Sequence, residues 1–196
     1  MKKIVPLDAV LVPDNAKKVF EGVIYDVYHW PQKLFDGSEI TYEMLRRPDS
    51  VDVLCIVDDK IIVLDDTQPH QGTITTLPSG KVDPEDDSTL MAGQREVAEE
   101  TGYTFQNWKL VSVRQLHAKT EWFIYTFVAW GVIKQGEPNL DAGEKIQVNL
   151  LSLDEVKQLS EEEKGYMGES RHVLRKAKNI TGLIKLPEFK GREIDR

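Results

Sequence analysis

Cysteine occurs once in this 196-residue chain, at Cys55, which excludes an internal disulfide and any cysteine-based metal cluster. Cys55 sits in the apolar run Val51 to Val57, the setting of a buried structural thiol rather than a reactive one. Long apolar runs are also missing. No stretch reaches the length needed to cross a bilayer, and the opening MKKIVPLDAVLVPDNAKK lacks the sustained apolar core of a secretory signal. The expectation is a cytoplasmic protein with no membrane partner. Positive charge is in deficit, with 25 Lys and Arg against 33 Asp and Glu and a net charge of -8. A broad nucleic-acid surface needs the opposite balance, so none is expected. The basic cluster RHVLRKAK, Arg171 to Lys178, reads as a solvated helix face. A small polyphosphate ligand is compatible with this charge, because a divalent cation can offset local carboxylates.

The chain carries 40% hydrophobic and 30% charged residues, enough for one substantial domain or a compact domain with a smaller appendage. Val19 to Tyr28 and Ile40 to Leu45 alternate as strands do, separated by Pro31 and the turn signal Asp36-Gly37. They predict a small antiparallel sheet with little core of its own, which must pack on the main domain or on a second subunit. Val51 to Val57 and Lys60 to Leu64 read as a hairpin turning at Asp58-Asp59, followed by loops around a short strand near Thr73 to Leu77. Leu90 to Thr101 is the most persuasive helix, with Ser88 or Thr89 as cap and Gly102 as stop. Strands are expected at Trp108 to Gln115, Trp122 to Val132 and Ile146 to Leu151, and helices at Leu153 to Leu159 and within Glu161 to Lys178. Little in Ile184 to Arg196 fixes its structure. The partition is an N-terminal sheet region over 1–50, a main domain over 51–180 and a C-terminal tail over 181–196, in an α/β or α+β fold.

The chemistry concentrates in Gly80 to Tyr103, GKVDPEDDSTLMAGQREVAEETGY. At about 100° per residue, Glu96, Glu99 and Glu100 fall within roughly 100° of one another on a helix. Three carboxylates on one face repel each other, which leaves two readings of the spacing, a solvated acidic face or an oxygen-rich site for Mg2+ or Mn2+. Arg95, four residues before Glu99, can pair with it and hold the group in place.

The segment Arg95-Glu96-Val97-Ala98-Glu99-Glu100-Thr101-Gly102-Tyr103 matches in full the second half of the signature of the Nudix hydrolases, and the chain resembles that family. The signature's first half is Gly, five residues, Glu, then seven residues to Arg. Here five residues from Gly80 lead to Asp86, and eight then separate Asp86 from Arg95; counting back from Arg95 selects Asp87 and leaves Gly80 one place early. The departure reads as a one-residue lengthening with Asp in place of Glu. The resemblance implies a Nudix-like mixed sheet sandwiched by helices. It also implies metal-dependent hydrolysis of a diphosphate linkage, with Glu96, Glu99 and Glu100 as ligands, Arg95 and Glu99 in the catalytic constellation, and Gly80 and Gly102 as structural glycines of the metal loop. From the loop after the central strands it implies Glu144 as the residue that orients or deprotonates water.

Within the family the chain looks most like the ADP-ribose and nucleotide-sugar pyrophosphatases, from about residue 19 to about residue 159. That likeness implies a homodimer built on the N-terminal sheets and a nucleoside diphosphate sugar as substrate, with ADP-ribose cleaved to AMP and ribose 5-phosphate. Tyr28 or Trp30 would stack on the base, where composition alone assigns them to a local core or edge contact, and Arg46 and Arg47 would contact phosphate, where the plain alternative is a solvated surface. Related chains often carry Glu-Gln-Tyr-Arg before the metal loop, where this one has Asp66-Thr67-Gln68-Pro69-His70. His70 is the candidate to replace the lost arginine, and Glu121 keeps an acidic position in His117 to Trp122. Two alternatives stay open, hydrolysis of a nucleoside triphosphate or another nucleotide derivative, and a nucleotide-binding module without turnover.

Overall fold

The computed structural model describes residues 2–69, 72–140, 142–143, 145–162, 165–167 and 170–195. The main sheet is built around β5 (Ser50–Val57) and β11 (Phe123–Gln135), which pair in parallel. Both strands read as near-continuous apolar runs because both their faces are covered. From β5, Val51, Val53 and Cys55 enter a core shared with α1 (Thr89–Thr101), while Leu54 and Ile56 enter a second core. The second core is closed by α2 (Leu153–Glu161), α3 (Arg171–Lys176) and α4 (Ile180–Ile184). The sheet is therefore sandwiched by helices, and strands dominate, in an α+β fold.

The order across this sheet is β13 (Gly165–Tyr166), β7 (Gly72–Thr76), β6 (Lys60–Gln68), β5, β11 and β9 (Tyr103–Gln115). Strand β12 (Lys145–Ser152) also pairs β6, and β8 (Ser79–Lys81) pairs β5. The β5–β6 hairpin turns at Asp58, whose φ of 56° is the left-handed value that a tight turn between strands requires. Its strands pair only at Ile56↔Ile61 and Val57↔Lys60, and then diverge. Into the gap comes β8, pairing Ser50↔Lys81, Val51↔Gly80 and Asp52↔Ser79. That divergence opens a cleft between the far end of β6 and the chain leading into α1.

The N-terminal sheet differs from its expected layout. Val19 to Tyr28 is not one strand: β2 (Lys17–Phe20) and β3 (Asp26–Lys33) are separated by a tight bend, where a Cβ on Gly22 would stand 2.4 Å from the Tyr25 carbonyl oxygen. Pro31 does not end a strand but lies within β3, opposite Thr41 of β4 (Glu39–Arg46). Strand β3 pairs β2 only as far as His29, and proline is tolerated on such an edge. The sheet is tied to the body by β10 (Thr120–Glu121), which runs parallel to β4.

Two further segments acquire structure that local pattern does not reveal. Strand β1 (Lys2–Val5) pairs antiparallel with β14 (Arg192–Asp195), and Val5 is fully buried in the first core. Among the described residues between Glu161 and Lys178, the α-helix beyond the end of α2 is Arg171–Lys176, and β13 pairs β7 at Gly165↔Thr75. No helix among the described residues is long and apolar enough to cross a membrane.

Candidate active site

Helix α1 presents the acidic residues because its inner face is fixed on the sheet. The side chain of Ser88 caps its start by accepting from the Met91 N–H, and Gly102, at φ 71°, ends it with its N–H on the Ala98 carbonyl. Ala92 and Val97 are fully buried, and at Gly93 the helix faces Trp108, Val53 and Phe127. With that face committed, Glu96, Glu99 and Glu100 all line a cleft of about 550 Å³, together with Arg47, Asp66, Ser79, Gly80 and Asp83.

The three carboxylates stand in different surroundings. Glu100 is buried and accepts a hydrogen bond of 3.0 Å from the Ser79 N–H. The carboxyl group of Glu96 lies against the Cα of Gly80, where any Cβ would stand 2.0 Å from Cδ of Glu96. Burial pushes the Glu96 carboxyl up to about 7, against the opposing pull of Arg95, and the negative charges of Glu99 and Asp83 push in the same direction. The Glu99 side chain is 41% exposed, the most open of the helical partners of Arg95.

Arg95 joins the site together. Its Nη1 donates to Glu96 Oε1 at 2.8 Å and to Glu99 Oε2 at 3.1 Å, its Nη2 donates to the Lys81 carbonyl at 3.1 Å, and its other face forks onto Asp86. The guanidinium holds the Asp86 carboxyl below its ordinary value, and the surrounding carboxylates push Arg95 higher still. Asp86 is buried in this contact, whereas Asp87 faces solvent. Of the two acids that counting selects, Asp86 is the one that meets Arg95.

The donor set fits a hard divalent cation in chemistry. Glutamate oxygens line one wall, two of them already share a single cationic nitrogen, and the Glu96 carboxylate is starved of water against a glycine that leaves it room. It is not a finished cage: among the described residues no three His, Cys, Asp or Glu side chains converge on one point. The resemblance also named Glu144, which lies outside the described residues, as does His70.

The remaining candidates are distributed unevenly. Arg47 lines the cleft, with its guanidinium 4.3 Å from the Trp122 ring centroid and 5.5 Å from that of Tyr25. Arg46 turns the other way, stacking 4.6 Å from the Tyr28 ring and pairing with Glu121 at 3.1 Å. Glu121 is buried and also accepts from the Val12 N–H, so it ties the N-terminal segment to the body. Trp30 packs with Val12 and Met44 in a small separate core. The sequence did not single out Asp66, Gln68, Lys81 or Asp83 as lining this cleft; the signal for the first two was the departure at Asp66 to His70 from the related pattern, and the last two lie in the segment that opens at Gly80.

Comparison with known proteins bears on the family. The NUDIX domain family matches residues 46–173. The ADP-ribose pyrophosphatase of Bacillus subtilis (strain 168) is 26% identical over 164 residues, covering 81% of this chain and 87% of its own. The methanol dehydrogenase activator of Bacillus methanolicus is 28% identical over 156 residues, covering 78% and 84%. Among solved structures, an ADP compounds hydrolase superposes with a TM-score of 0.64 at 19% identity, covering 90% of this chain and 93% of that one. A NUDIX hydrolase from Nitrosomonas europaea gives 0.51 at 24% identity, covering 65% and 84%. At those identities the two structures bear on the fold alone. The family match spans well over half of the chain and contains the whole Arg95 cluster, so the protein belongs to the Nudix family and is a pyrophosphohydrolase of the Nudix type.

Proposed function

We propose that this enzyme hydrolyses the diphosphate linkage of a nucleoside diphosphate sugar, with ADP-ribose the leading substrate and AMP and ribose 5-phosphate the products. The observation that carries the reading is the single guanidinium of Arg95, which holds Asp86 on one side and Glu96 and Glu99 on the other at the wall of a cleft of substrate size. The relative named an ADP-ribose pyrophosphatase supports the choice of substrate.

Nudix hydrolases as a family depend on a divalent metal, and Glu96, Glu99 and Glu100 are the residues that would hold Mg2+ or Mn2+ here. When bound, the cation supplies charge neutralisation and polarisation at the phosphates. Arg95 orients Glu96 and Glu99, and Asp86 keeps the guanidinium from rotating away. Gly80 leaves room for the Glu96 carboxylate. Arg47 supplies positive charge for an anionic substrate at the cleft wall. Glu144 remains the proposed base for the attacking water, by family likeness. Tyr28, Trp30, Arg46, His70 and Glu121 remain proposed only as groups near a base or phosphate, and Arg47 has the better support among the arginines. A cytoplasmic homodimer completes the reading. Its support is the apolar exposure of the N-terminal segment, where Phe20, Val23 and Phe35 are open to solvent.

Product analysis tests the reaction. Purified protein with Mg2+ or Mn2+ should release AMP and ribose 5-phosphate from ADP-ribose and stop on addition of a chelator. Pyrophosphate released from a triphosphate, with ADP-ribose untouched, would replace the substrate assignment. Tight nucleotide binding with no cleavage in either metal would reject hydrolysis altogether. Size measurement in solution tests the dimer separately.

A further inference from the structure

Glutamates on the wall of the cleft and a diphosphate beside them add up to more negative charge than one divalent cation offsets, so cationic side chains at the wall must meet the remainder. Among the described residues, the cations that line the cleft are Arg47, Lys81 and Arg95. Arg95 is committed to Asp86, Glu96, Glu99 and the Lys81 carbonyl. That leaves Arg47 and Lys81, which together with Ser79 and Gly80 also line an adjoining cavity of about 280 Å³. The two cations therefore share one stretch of wall.

The backbone of Lys81 is fixed and its side chain is not. Lys81 pairs with Ser50 between β8 and β5, and its carbonyl accepts from Arg95 Nη2 at 3.1 Å. It directly follows Gly80, against which the Glu96 carboxyl packs. The side chain, by contrast, is 62% exposed, and its Nζ meets Asp83 Oδ1 at 3.0 Å. Asp83 lines the same cleft, and Asp83 first and Glu96 after it hold the ammonium above its ordinary value, so Nζ lies within the field of the site. An exposed pair of this kind is weakly held. Asp83 does not stand alone when the pair opens, because its Oδ2 keeps Arg95 Nη2 at 3.4 Å.

Resting on the reading of a nucleoside diphosphate sugar as substrate, we propose that Lys81 is a second substrate-binding cation, whose ammonium leaves Asp83 and donates to a non-bridging oxygen of the diphosphate on the wall it shares with Arg47. A lysine suits this exchange. It carries a compact charge with three donors on a flexible stem, so it can follow either phosphate without the fixed fork of a guanidinium. Asp83 is then a competitor: by holding Lys81 in the free protein it lowers the affinity for an anion.

Equilibrium binding, in Mg2+, of the ADP-ribose analogue with a methylene group in place of the bridging oxygen reads this without cleavage. Lys81→Met should weaken binding about tenfold, the scale of a hydrogen bond to a charged group, and Lys81→Gln should repeat the loss. Lys81→Arg, which keeps the charge, should stay within about threefold of wild type. Asp83→Asn, which removes the competitor, should tighten binding about twofold or more. Lys60→Met, which removes an equal charge at the exposed end of the β5–β6 hairpin, should change nothing. Melting curves confirm that the variants fold.

Binding by both neutral Lys81 variants equal to wild type, as a merely solvated pair would give, overturns the proposal. So does an equal loss in Lys60→Met, which would assign the effect to net charge, or a loss in Asp83→Asn that matches Lys81→Met, which would make the pair structural. An ATP analogue with its bridging oxygens replaced in the same way separates the two levels of inference. A wild type that binds only the ATP analogue, and loses it in Lys81→Met, keeps the role of Lys81 and sinks the sugar reading. A wild type that binds the ADP-ribose analogue, with no loss in Lys81→Met, keeps the substrate class and sinks the role of Lys81. Binding of neither analogue overturns both.

Discussion

Asp86 and Arg95, nine residues apart, form a forked ion pair in which Nε meets Oδ1 at 3.2 Å and Nη2 meets Oδ2 at 2.9 Å. The pair fixes one face of the guanidinium and leaves the other for Glu96 and Glu99, so Asp86 reaches two proposed ligands through Arg95.

The first prediction follows from that fork. Asp86→Asn should lower activity and metal affinity by about 10–100-fold, as loss of a supporting partner does in metal sites. Its stability cost should be modest, about 1–2 kcal/mol, because Arg95 keeps its helical partners and is 29% exposed. Arg95→Lys should lose activity to a similar degree, since an ammonium cannot bridge Asp86 and the two glutamates at once. Metal titration followed by calorimetry reads both; unaltered metal affinity in both variants would remove Arg95 from its positioning role.

Gly80→Ala isolates the Glu96 cradle. The new methyl group would stand 2.0 Å from Cδ of Glu96, at the end of a side chain that can swing aside. Activity should fall by about 100-fold, the cost of misplacing a reacting group by about an ångström, while the melting temperature stays close to wild type. A variant as active as wild type would show that Glu96 need not occupy this place.

Stability against pH should separate two buried aspartates of opposite sign. Asp86 is held below its ordinary value by Arg95, so its contribution is present above about pH 4 and is lost as pH falls through its folded pKa. Asp49 is raised, because burial outweighs its 2.6 Å pair with Lys3. Its contribution is complete below the unfolded value and is lost as pH rises through the folded one. Thermal melts between about pH 3 and pH 7 should show a shallower acid loss in Asp86→Asn and a steeper one in Asp49→Asn than in wild type. Parallel curves for all three proteins would refute both assignments.

Cys55 offers a reporter of global unfolding. It is fully buried, and burial pushes its thiol well above the ordinary value, so the folded state offers no thiolate. A thiol-specific reagent should leave the native protein unlabelled and modify one site per chain in denaturant. Fast native labelling would place Cys55 outside the core.

What could be read from the one-dimensional chain was whatever depends on near neighbours. The 3.6-residue period, the Ser88 cap and the Gly102 stop define α1, and the spacing of Glu96, Glu99 and Glu100 puts them on one face of it. The apolar runs of β5 and β11 mark strands covered on both sides. Long-range pairing had no such signature: β1 meets β14 across nearly the whole chain, and nothing local in Arg192 to Asp195 announces its partner. Nor could counting decide between Asp86 and Asp87, because only the folded loop brings one of them to Arg95. Asp66 was visible only as a departure from a related pattern. In the fold it lines the cleft, beyond the two pairs at which β5 and β6 meet. Local sequence set the helix and its carboxylates, while the sheet's long-range register decided what faces them, since distant strands meet only after the chain has folded.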